Sequence, residues 1–289
     1  MKNFEYKRVC TLEEVFHLLG QHQEKAMILA GGTDLLVKMR NKTLKPEILI
    51  DIKGIPGLDE IRYDPVEGLH LGALASIHRL ETCPIIREKF PAISEAAGYL
   101  GSFQIRSRGT LGGNLCHASP AGEMAPCLIS LGAKLRIVGS AGERWVLLED
   151  FFTDPGKTVL QRDELLTAVQ VPTPPPQTGC KYTKYGIRKA MDLAIVGVAV
   201  ALTLDAEKDK CKEVKIALGA VGPIPLRAKK GEARLRGQKM DETSIAEASL
   251  LASQEAQPIT DIRASAEYRR KMVQALTQKT LKQVQEALS

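Results

Sequence analysis

A cluster of four prolines in the segment PTPPPQTG, residues 172–179, constrains the fold of this 289-residue chain more than any other feature. Proline lacks the backbone amide that helices and central strands need, and it fixes φ at about −65°. Because neither kind of element continues easily through such a run, we expect a domain boundary here. The boundary separates residues 1–175 from residues 176–289.

Hydrophobic periodicity predicts strands and helices on both sides of this boundary. The helical segment TLEEVFHLLGQH begins with Thr11 and Glu14 at the spacing of a capping box. Three segments beyond the boundary read as strands, and helices follow them; the strands are KYTKYGIR, LAIVGVAVALTLD and CKEVKIALGAVG. Because strands and helices do not alternate strictly, the predicted fold class is α+β.

Charge and aromatic content argue against a nucleic-acid-binding protein. The chain has 40 Lys and Arg against 34 Asp and Glu, a net charge of +6, with only 4% aromatic residues. Nucleic-acid binding typically uses a basic stripe with stacking aromatic rings, and here the basic residues are scattered. No apolar run approaches the roughly 18 residues of a membrane span, and the first ten residues contain no apolar signal core. We therefore expect a cytoplasmic protein.

The cysteines give no sign of a metal centre. The six cysteines contain no pair at the short spacing of zinc or iron–sulfur ligands. Cys116 and His117 are adjacent, and on a strand their side chains would point to opposite faces. We therefore expect no metal site in this chain.

The segment LAGGTDLL, residues 29–36, is a candidate anion-binding turn. Its two glycines let backbone amides approach a ligand with no Cβ in the way. The helix that follows offers further unpaired amides to a negative group. An ordinary strand-to-helix turn is the alternative explanation of this segment alone.

The segment TLGGNL, residues 110–115, has the same character. Two such turns in one chain favour a ligand with a diphosphate, which needs amides from more than one loop. Ser119 could add a polar contact, and Glu123 more plausibly accepts from ligand hydroxyls than faces a diphosphate. The phosphate-loop-like PGKT has Phe151 where the motif requires glycine, and GxGxxG is absent, so any nucleotide is held by other means.

Lys184, Arg188 and Asp192 are spaced four apart. This spacing allows pairing along a helix, but Gly186 and the β-branched run that follows argue against a regular helix. A salt-bridged turn and a functional cluster remain equal alternatives at this point.

Four segments together resemble the FAD-binding, or medium, subunit of the molybdenum hydroxylases, a family that includes xanthine dehydrogenase and carbon monoxide dehydrogenase. They are LAGGTDLL, IRSRGTLGGNLCHASPAGEMAPCL, DPGKTVLQRDELL and KYTKYGIRKAMDLAIVGVA. The resemblance implies an FAD-binding domain of the vanillyl-alcohol-oxidase/xanthine-dehydrogenase flavoprotein type over residues 1–175, with lobes of about 1–55 and 56–175. It also implies a C-terminal α+β domain with a three-stranded sheet over residues 176–289.

The resemblance implies which residues bind FAD. The turn from Leu29 to Leu35 matches the segment whose amides hold the diphosphate, and the loop around Gly112 matches the second FAD segment. A third match is the strand that flanks the flavin ring, and Lys184 matches a lysine at the ring's polar edge. The implied FAD-binding residues are Leu29, Ala30, Gly31, Gly32, Thr33, Asp34, Leu35, Gly109, Thr110, Gly112, Gly113, Asn114, Ser119, Glu123, Leu165, Leu166 and Lys184.

Two positions depart from the family pattern. Glu123 stands where relatives usually have Asp, and His117 where they often have Asn or Thr. Arg188 and Asp192 complete the family pattern around Lys184. A lysine near the flavin would stabilise the anionic reduced form and raise its potential.

The chemistry implied by the resemblance is electron transfer. A large subunit with a molybdenum cofactor oxidises the substrate, and [2Fe-2S] clusters of a small subunit pass electrons to FAD in this chain. The final acceptor is often NAD, and the assembly is expected to be a dimer of heterotrimers. The alternatives are a free-standing FAD-dependent oxidoreductase of the same superfamily and a flavin-free scaffold subunit.

Overall fold

The computed structural model describes residues 3–188 and 191–289, and within them the chain forms three main β-sheets covered by helices. The first sheet is parallel, with strand order β1-β3-β2. The predicted capping box of Thr11 and Glu14 begins the first helix. The elements are β1 (Glu5–Arg8), α1 (Leu12–His22), β2 (Ala26–Leu29), α2 (Leu35–Arg40) and β3 (Ile48–Asp51), with a short 3-10 helix at Gln23–Lys25.

The second sheet is antiparallel and has five strands in the order β4-β5-β10-β6-β7. Helices pack on this sheet, and the largest hydrophobic cluster among the described residues lies between them and the sheet. A two-stranded hairpin, β8–β9, contains the PGKT segment. The strands are β4 (Ile61–Asp64), β5 (Gly68–Gly72), β6 (Lys134–Gly139), β7 (Gly142–Leu147), β8 (Phe152–Asp154), β9 (Lys157–Thr158) and β10 (Glu164–Val171). The helices are α3 (Ile77–Thr82), α4 (Pro84–Lys89), α5 (Pro91–Gly98), α6 (Phe103–Arg108), α7 (Leu111–His117) and α8 (Met124–Ser130), with a 3-10 helix at Leu148–Asp150.

The third sheet contains the three long strands that the sequence predicts beyond the prolines. A fourth strand of two residues pairs with the edge of the third, so this sheet has four strands instead of three. Such a short strand carries too little periodicity for sequence analysis to detect. The elements are β11 (Thr178–Tyr185), β12 (Val196–Leu204), β13 (Cys211–Gly219), β14 (Leu226–Arg227), α9 (Lys229–Leu235), α10 (Glu242–Glu255) and α11 (Ala266–Leu288).

Close contacts join the third sheet to helix α8 and to the loop before it. A Cβ added to Gly219 would lie 2.6 Å from Cγ of Pro126 in α8. The next residue, Ala220, donates its amide to the carbonyl of Pro120 at 2.7 Å. The end of β13 therefore packs directly on the loop before α8. Among the helices of the described residues, none combines the length and apolar character that crossing a membrane requires.

Candidate functional site

The first glycine turn packs, backbone on backbone, against the two residues that precede the second glycine turn. A Cβ on Gly31 would lie 2.1 Å from the carbonyl oxygen of Arg108 and 3.0 Å from Cα of Gly109. Any side chain at position 31 would therefore push the two turns apart, which explains the need for glycine there. The neighbouring Gly32 has φ of +77°, a conformation that glycine adopts without strain.

The first turn presents free backbone amides. The carbonyl of Gly32 accepts from the amide of Leu36 at 3.0 Å, which starts α2. Within residues 3–188 and 191–289, the amides from Gly31 to Asp34 donate no hydrogen bond to the protein. Unpaired amides on a partly exposed turn are ready donors for an anionic group.

The second turn differs, because its amides are already engaged. Thr110 is the N-cap of α7, and its Oγ1 accepts from the amide of Gly113 at 3.1 Å. The amides of Leu111 and Gly112 donate to the carbonyls of Ala75 and Ala73, and the amide of Asn114 donates to Thr110. The amides of residues 111–114 are therefore all paired within the protein, whereas those of the first turn are not.

The structure places Cys116 and His117 at the end of a helix, so the expectation of a strand at this pair was wrong. His117 lies between the two glycine segments. Its Nε2 is 3.6 Å from Oδ1 of Asp34, and its Nδ1 is 3.5 Å from Nζ of Lys38. His117 thus connects the end of α7 to the start of α2. Sequence reasoning left its role open and missed Lys38 altogether.

A buried ion pair forms the second part of the site. Nζ of Lys184, at the end of β11, lies 2.7 Å from Oε1 of Glu123, and their side chains are only 7% and 8% exposed. Lys184 also donates to the carbonyls of Tyr99 at 3.2 Å and Asp192 at 2.5 Å. An ammonium group has three donors, so all three are used within the protein.

The electrostatics of Glu123 follow from this burial. Loss of solvent raises the pKa of its carboxyl group above the ordinary value, and the charge and hydrogen bond of Lys184 oppose that rise. The ionised form of the Glu123 carboxyl group is therefore stabilised by Lys184. The sequence indicated Glu123 and Lys184 separately, but gave no sign that they pair with each other.

Arg188 and Asp192 pair with each other, in agreement with the salt-bridge alternative for this cluster. The amide of Arg188 donates to Oδ2 of Asp192 at 2.8 Å, and the guanidinium lies 3.9 Å from Oδ1. These bonds hold the pKa of the Asp192 carboxyl below its usual range, chiefly through the amide of Arg188. The carbonyl of Asp192 also accepts from Nζ of Lys184. Residues 189 and 190 of the KYGIRKAMD segment lie outside the described residues.

Three further predicted residues lie in the loop before α8 and on strand β10. Ser119 lies in the loop before α8, where its Oγ accepts from the amide of Ala121 at 3.3 Å. The side chains of Leu165 and Leu166 are buried in two different hydrophobic clusters. Lys53 was missed: its Nζ donates to the carbonyl of Ala30 at 3.2 Å and supports the first turn.

Comparison with known proteins settles the family. Residues 2–174 match the family model of the FAD binding domain in molybdopterin dehydrogenase, and residues 181–284 match the CO dehydrogenase flavoprotein C-terminal domain. The chain belongs to the FAD-binding subunits of the molybdenum hydroxylases. The predicted family and fold type are thereby confirmed.

Individual relatives span nearly the whole chain. The glyceraldehyde dehydrogenase medium chain of Sulfolobus acidocaldarius is 31% identical over 282 residues, which are 97% of this chain and 98% of that protein. The carbon monoxide dehydrogenase medium chain of Hydrogenophaga pseudoflava is 32% identical and covers 96% of both. A solved structure of carbon monoxide dehydrogenase from Hydrogenophaga pseudoflava matches with a TM-score of 0.94 at 31% identity, over 99% of this chain and 98% of that one. This FAD-binding chain is therefore an oxidoreductase subunit.

The residues present fit the FAD of this family. The free amides from Gly31 to Asp34 suit a diphosphate, and Gly31 leaves no space for a side chain between the turns. The half-buried side chains of Asn114 and Ser119 offer polar contacts nearby. Bound FAD would supply the redox chemistry, while the protein supplies binding, orientation and electrostatics.

Proposed function

We propose that this chain holds FAD between the first glycine turn and the Lys184–Glu123 pair, and passes electrons from a partner subunit's iron–sulfur clusters to NAD or another acceptor. The unpaired amides from Gly31 to Asp34 carry the proposal, together with the close packing of Gly31 on the backbone of Arg108 and Gly109. Unpaired amides at the start of a helix are suitable donors to an anionic group such as a diphosphate.

The amides from Gly31 to Leu35 bind the diphosphate in this proposal, while Leu29 and Ala30 shape the turn. Thr110 and its glycine neighbours hold α7 in place, so that Asn114 faces the ligand. Leu165 and Leu166 lie on the strand proposed to flank the flavin ring. Their buried side chains fit a packing role, which leaves the contacts of that strand with the ring to its backbone.

In this proposal Lys184 mainly holds the surrounding loops in place, and its charge has a smaller effect on the flavin. Its three donors are used by Glu123, Tyr99 and Asp192, and the carboxylate of Glu123 offsets its positive charge. We therefore expect a smaller rise in flavin potential than an unpaired lysine would cause. The longer side chain of Glu123 reaches the lysine and couples the loop before α8 to β11.

The medium-chain relatives support a multi-subunit assembly. We propose a large subunit with the molybdenum cofactor and a small subunit with [2Fe-2S] clusters, assembled as a dimer of heterotrimers. Within this chain we propose an FAD-binding domain at residues 1–175, with lobes of about 1–55 and 56–175, and a C-terminal domain at 176–289. The oxidised substrate would bind in the large subunit.

Absorption spectroscopy of the purified full chain tests the proposal. We expect flavin bands in the visible range, with FAD released on denaturation. Reduction of that flavin by NADH would support NAD as acceptor. A colourless chain that takes up no added FAD would contradict flavin binding, and purification of the native protein without molybdenum or iron–sulfur partners would contradict the assembly.

A further inference from the structure

Arg269 of α11 is a fully buried arginine that the site described above does not use. Its side chain is only 1% exposed. Burying a guanidinium is costly unless its charge is paired and its donors find acceptors. The contacts of Arg269 therefore bear on its role in the structure.

The guanidinium of Arg269 joins the segments that carry Ile195 and Ala220, and it is paired with Asp261. Its Nη1 donates to the carbonyls of Ile195 and Ala220, both at 3.0 Å. Its Nη2 donates to Oδ1 of Asp261 at 2.8 Å. Asp261 is in turn bonded to Arg263 through Oδ2 at 2.6 Å. The planar fork of arginine can span acceptors on separate segments, which a single ammonium point charge does poorly.

Both segments lead to the candidate flavin site. Ile195 ends the connection from β11 to β12, and the same connection supplies the Asp192 carbonyl that binds Lys184. Ala220 follows β13 and donates to the carbonyl of Pro120 at 2.7 Å. Pro120 belongs to the loop that leads to Glu123. The guanidinium of Arg269 is therefore connected to both partners of the buried ion pair, to Lys184 through the β11–β12 connection and to Glu123 through Ala220 and Pro120.

The backbone at Ala220 also indicates a constrained position. Its φ is +63°, in the left-handed region that non-glycine residues adopt only at a cost. Such a conformation persists where surrounding contacts hold it. Here the amide is held by Pro120 and the carbonyl by Arg269.

We infer that Arg269, oriented by Asp261, is a positioning residue for the flavin site, acting through Ile195 and Ala220 on the loops that bear Asp192 and Glu123. The inference rests on the proposed placement of FAD beside Lys184 and Glu123. Arg269 itself touches neither cofactor nor reacting atoms.

The test compares Arg269→Lys with Arg227→Lys in the full chain, using FAD as the probe. Arg227 is a suitable control because it is also largely buried and paired, with Glu232 at 2.5 Å and Glu149 at 3.1 Å. For each variant we would measure the FAD dissociation constant, the visible circular dichroism of bound FAD, its midpoint potential and the Tm. Asp261→Asn, which keeps Arg269 but weakens its orientation, serves as a second variant if Arg269→Lys does not fold.

We expect Arg269→Lys or Asp261→Asn to weaken FAD binding by about tenfold, equivalent to ~1.4 kcal/mol, and to change the flavin dichroism and potential. Arg227→Lys should lower Tm without these changes. Unchanged FAD binding and dichroism in both Arg269→Lys and Asp261→Asn would overturn the inference, as would equal changes in Arg227→Lys. Failure of the wild-type chain to bind FAD would overturn the proposed function as well, so the two failures are distinguishable.

Discussion

At the scale of single residues, Gly31 is a position that cannot accept a side chain without movement of the backbone around it. In Gly31→Ala the new Cβ would lie 2.1 Å from the carbonyl oxygen of Arg108, so the two glycine turns must separate. Because the free amides of the first turn would move, we expect at least ~10-fold weaker FAD binding, a loss of about 1.4 kcal/mol. Titration of the apo chain with FAD, followed by flavin fluorescence, measures this.

Gly20→Ala is the matched control for that substitution. Gly20 lies within α1 with no atom within 4 Å of an added Cβ. Alanine is the better helix former by about 1 kcal/mol, so the control should retain FAD affinity and gain stability. Equal FAD affinity in Gly31→Ala and Gly20→Ala would show that the packing of the two turns does not matter for the cofactor.

The buried pair predicts a pH-dependent effect of Lys184→Met. The substitution leaves Glu123 buried without its counter-charge, so the pKa of the carboxyl rises further above its ordinary value. When the pKa of a carboxyl group is higher in the folded protein than in the unfolded chain, the group stabilises the fold fully at pH values below the pKa of the unfolded chain. That stabilisation is lost as the pH rises through the pKa of the folded protein. We therefore expect Lys184→Met to cost about 3 kcal/mol at pH 8 and clearly less at pH 5.

Thermal unfolding at the two pH values checks this prediction. Lys282→Met is the control, because Lys282 pairs with Glu242 at 2.8 Å on the surface, where the glutamate is 88% exposed. Exposed pairs contribute little, so this variant should lose little stability at either pH. A cost of Lys184→Met that stays constant from pH 5 to pH 8 would contradict a raised pKa at Glu123.

At the scale of elements, helix α7 depends on its N-cap. Thr110→Ala removes the hydroxyl that accepts from the amide of Gly113, which should cost about 1 kcal/mol. Asp241→Ala removes the equivalent cap of α10, where Oδ1 accepts from the amide of Ser244 at 2.8 Å. We expect both variants to lose similar stability in urea unfolding, but only Thr110→Ala to lose FAD affinity. An equal loss of FAD affinity in Thr110→Ala and Asp241→Ala would mean that FAD binding depends no more on the N-cap of α7 than on that of α10.

Local signals in the sequence were sufficient for many elements. The apolar run and the glycines of LAGGTDLL predicted β2, the turn and α2, since all three depend on neighbours in sequence. At TLGGNLCH the treatment of Cys116 and His117 as strand residues was wrong, although Thr110 is a typical N-cap residue that could have indicated α7. Two glycines in seven helical residues weaken the helical signal there.

Tertiary contacts account for what the sequence could not reveal. The contact of Gly31 with the Arg108 carbonyl and the engagement of the Gly112 amide by Ala73 join residues far apart in the chain. The pairing of Glu123 with Lys184 across 61 positions has the same origin. A main-chain acceptor such as the Tyr99 carbonyl leaves no signal in a sequence, because every residue carries one.

At the scale of the whole molecule, the third sheet must sit closely on the second sheet's helices for Lys184 to reach Glu123. The contact of Gly219 with Pro126 controls that approach, because an added Cβ would lie 2.6 Å from Cγ of the proline. Gly219→Ala should therefore move the end of β13 away from α8 and weaken FAD binding by about tenfold. The same titration and the visible spectrum of bound FAD measure the effect.

Gly98→Ala separates this effect from a general response to alanine. Gly98 ends α5, and the nearest atom to an added Cβ is Oε1 of Glu81 at 3.6 Å, an ordinary contact. We expect this variant to bind FAD as the wild type does. A folded Gly219→Ala variant with wild-type FAD affinity would contradict the prediction. It would show that FAD binding does not depend on the close approach of the third sheet to α8. Loss of affinity in Gly219→Ala alone would instead show that the flavin site depends on how the C-terminal sheet packs against α8, and not on the glycine turns alone.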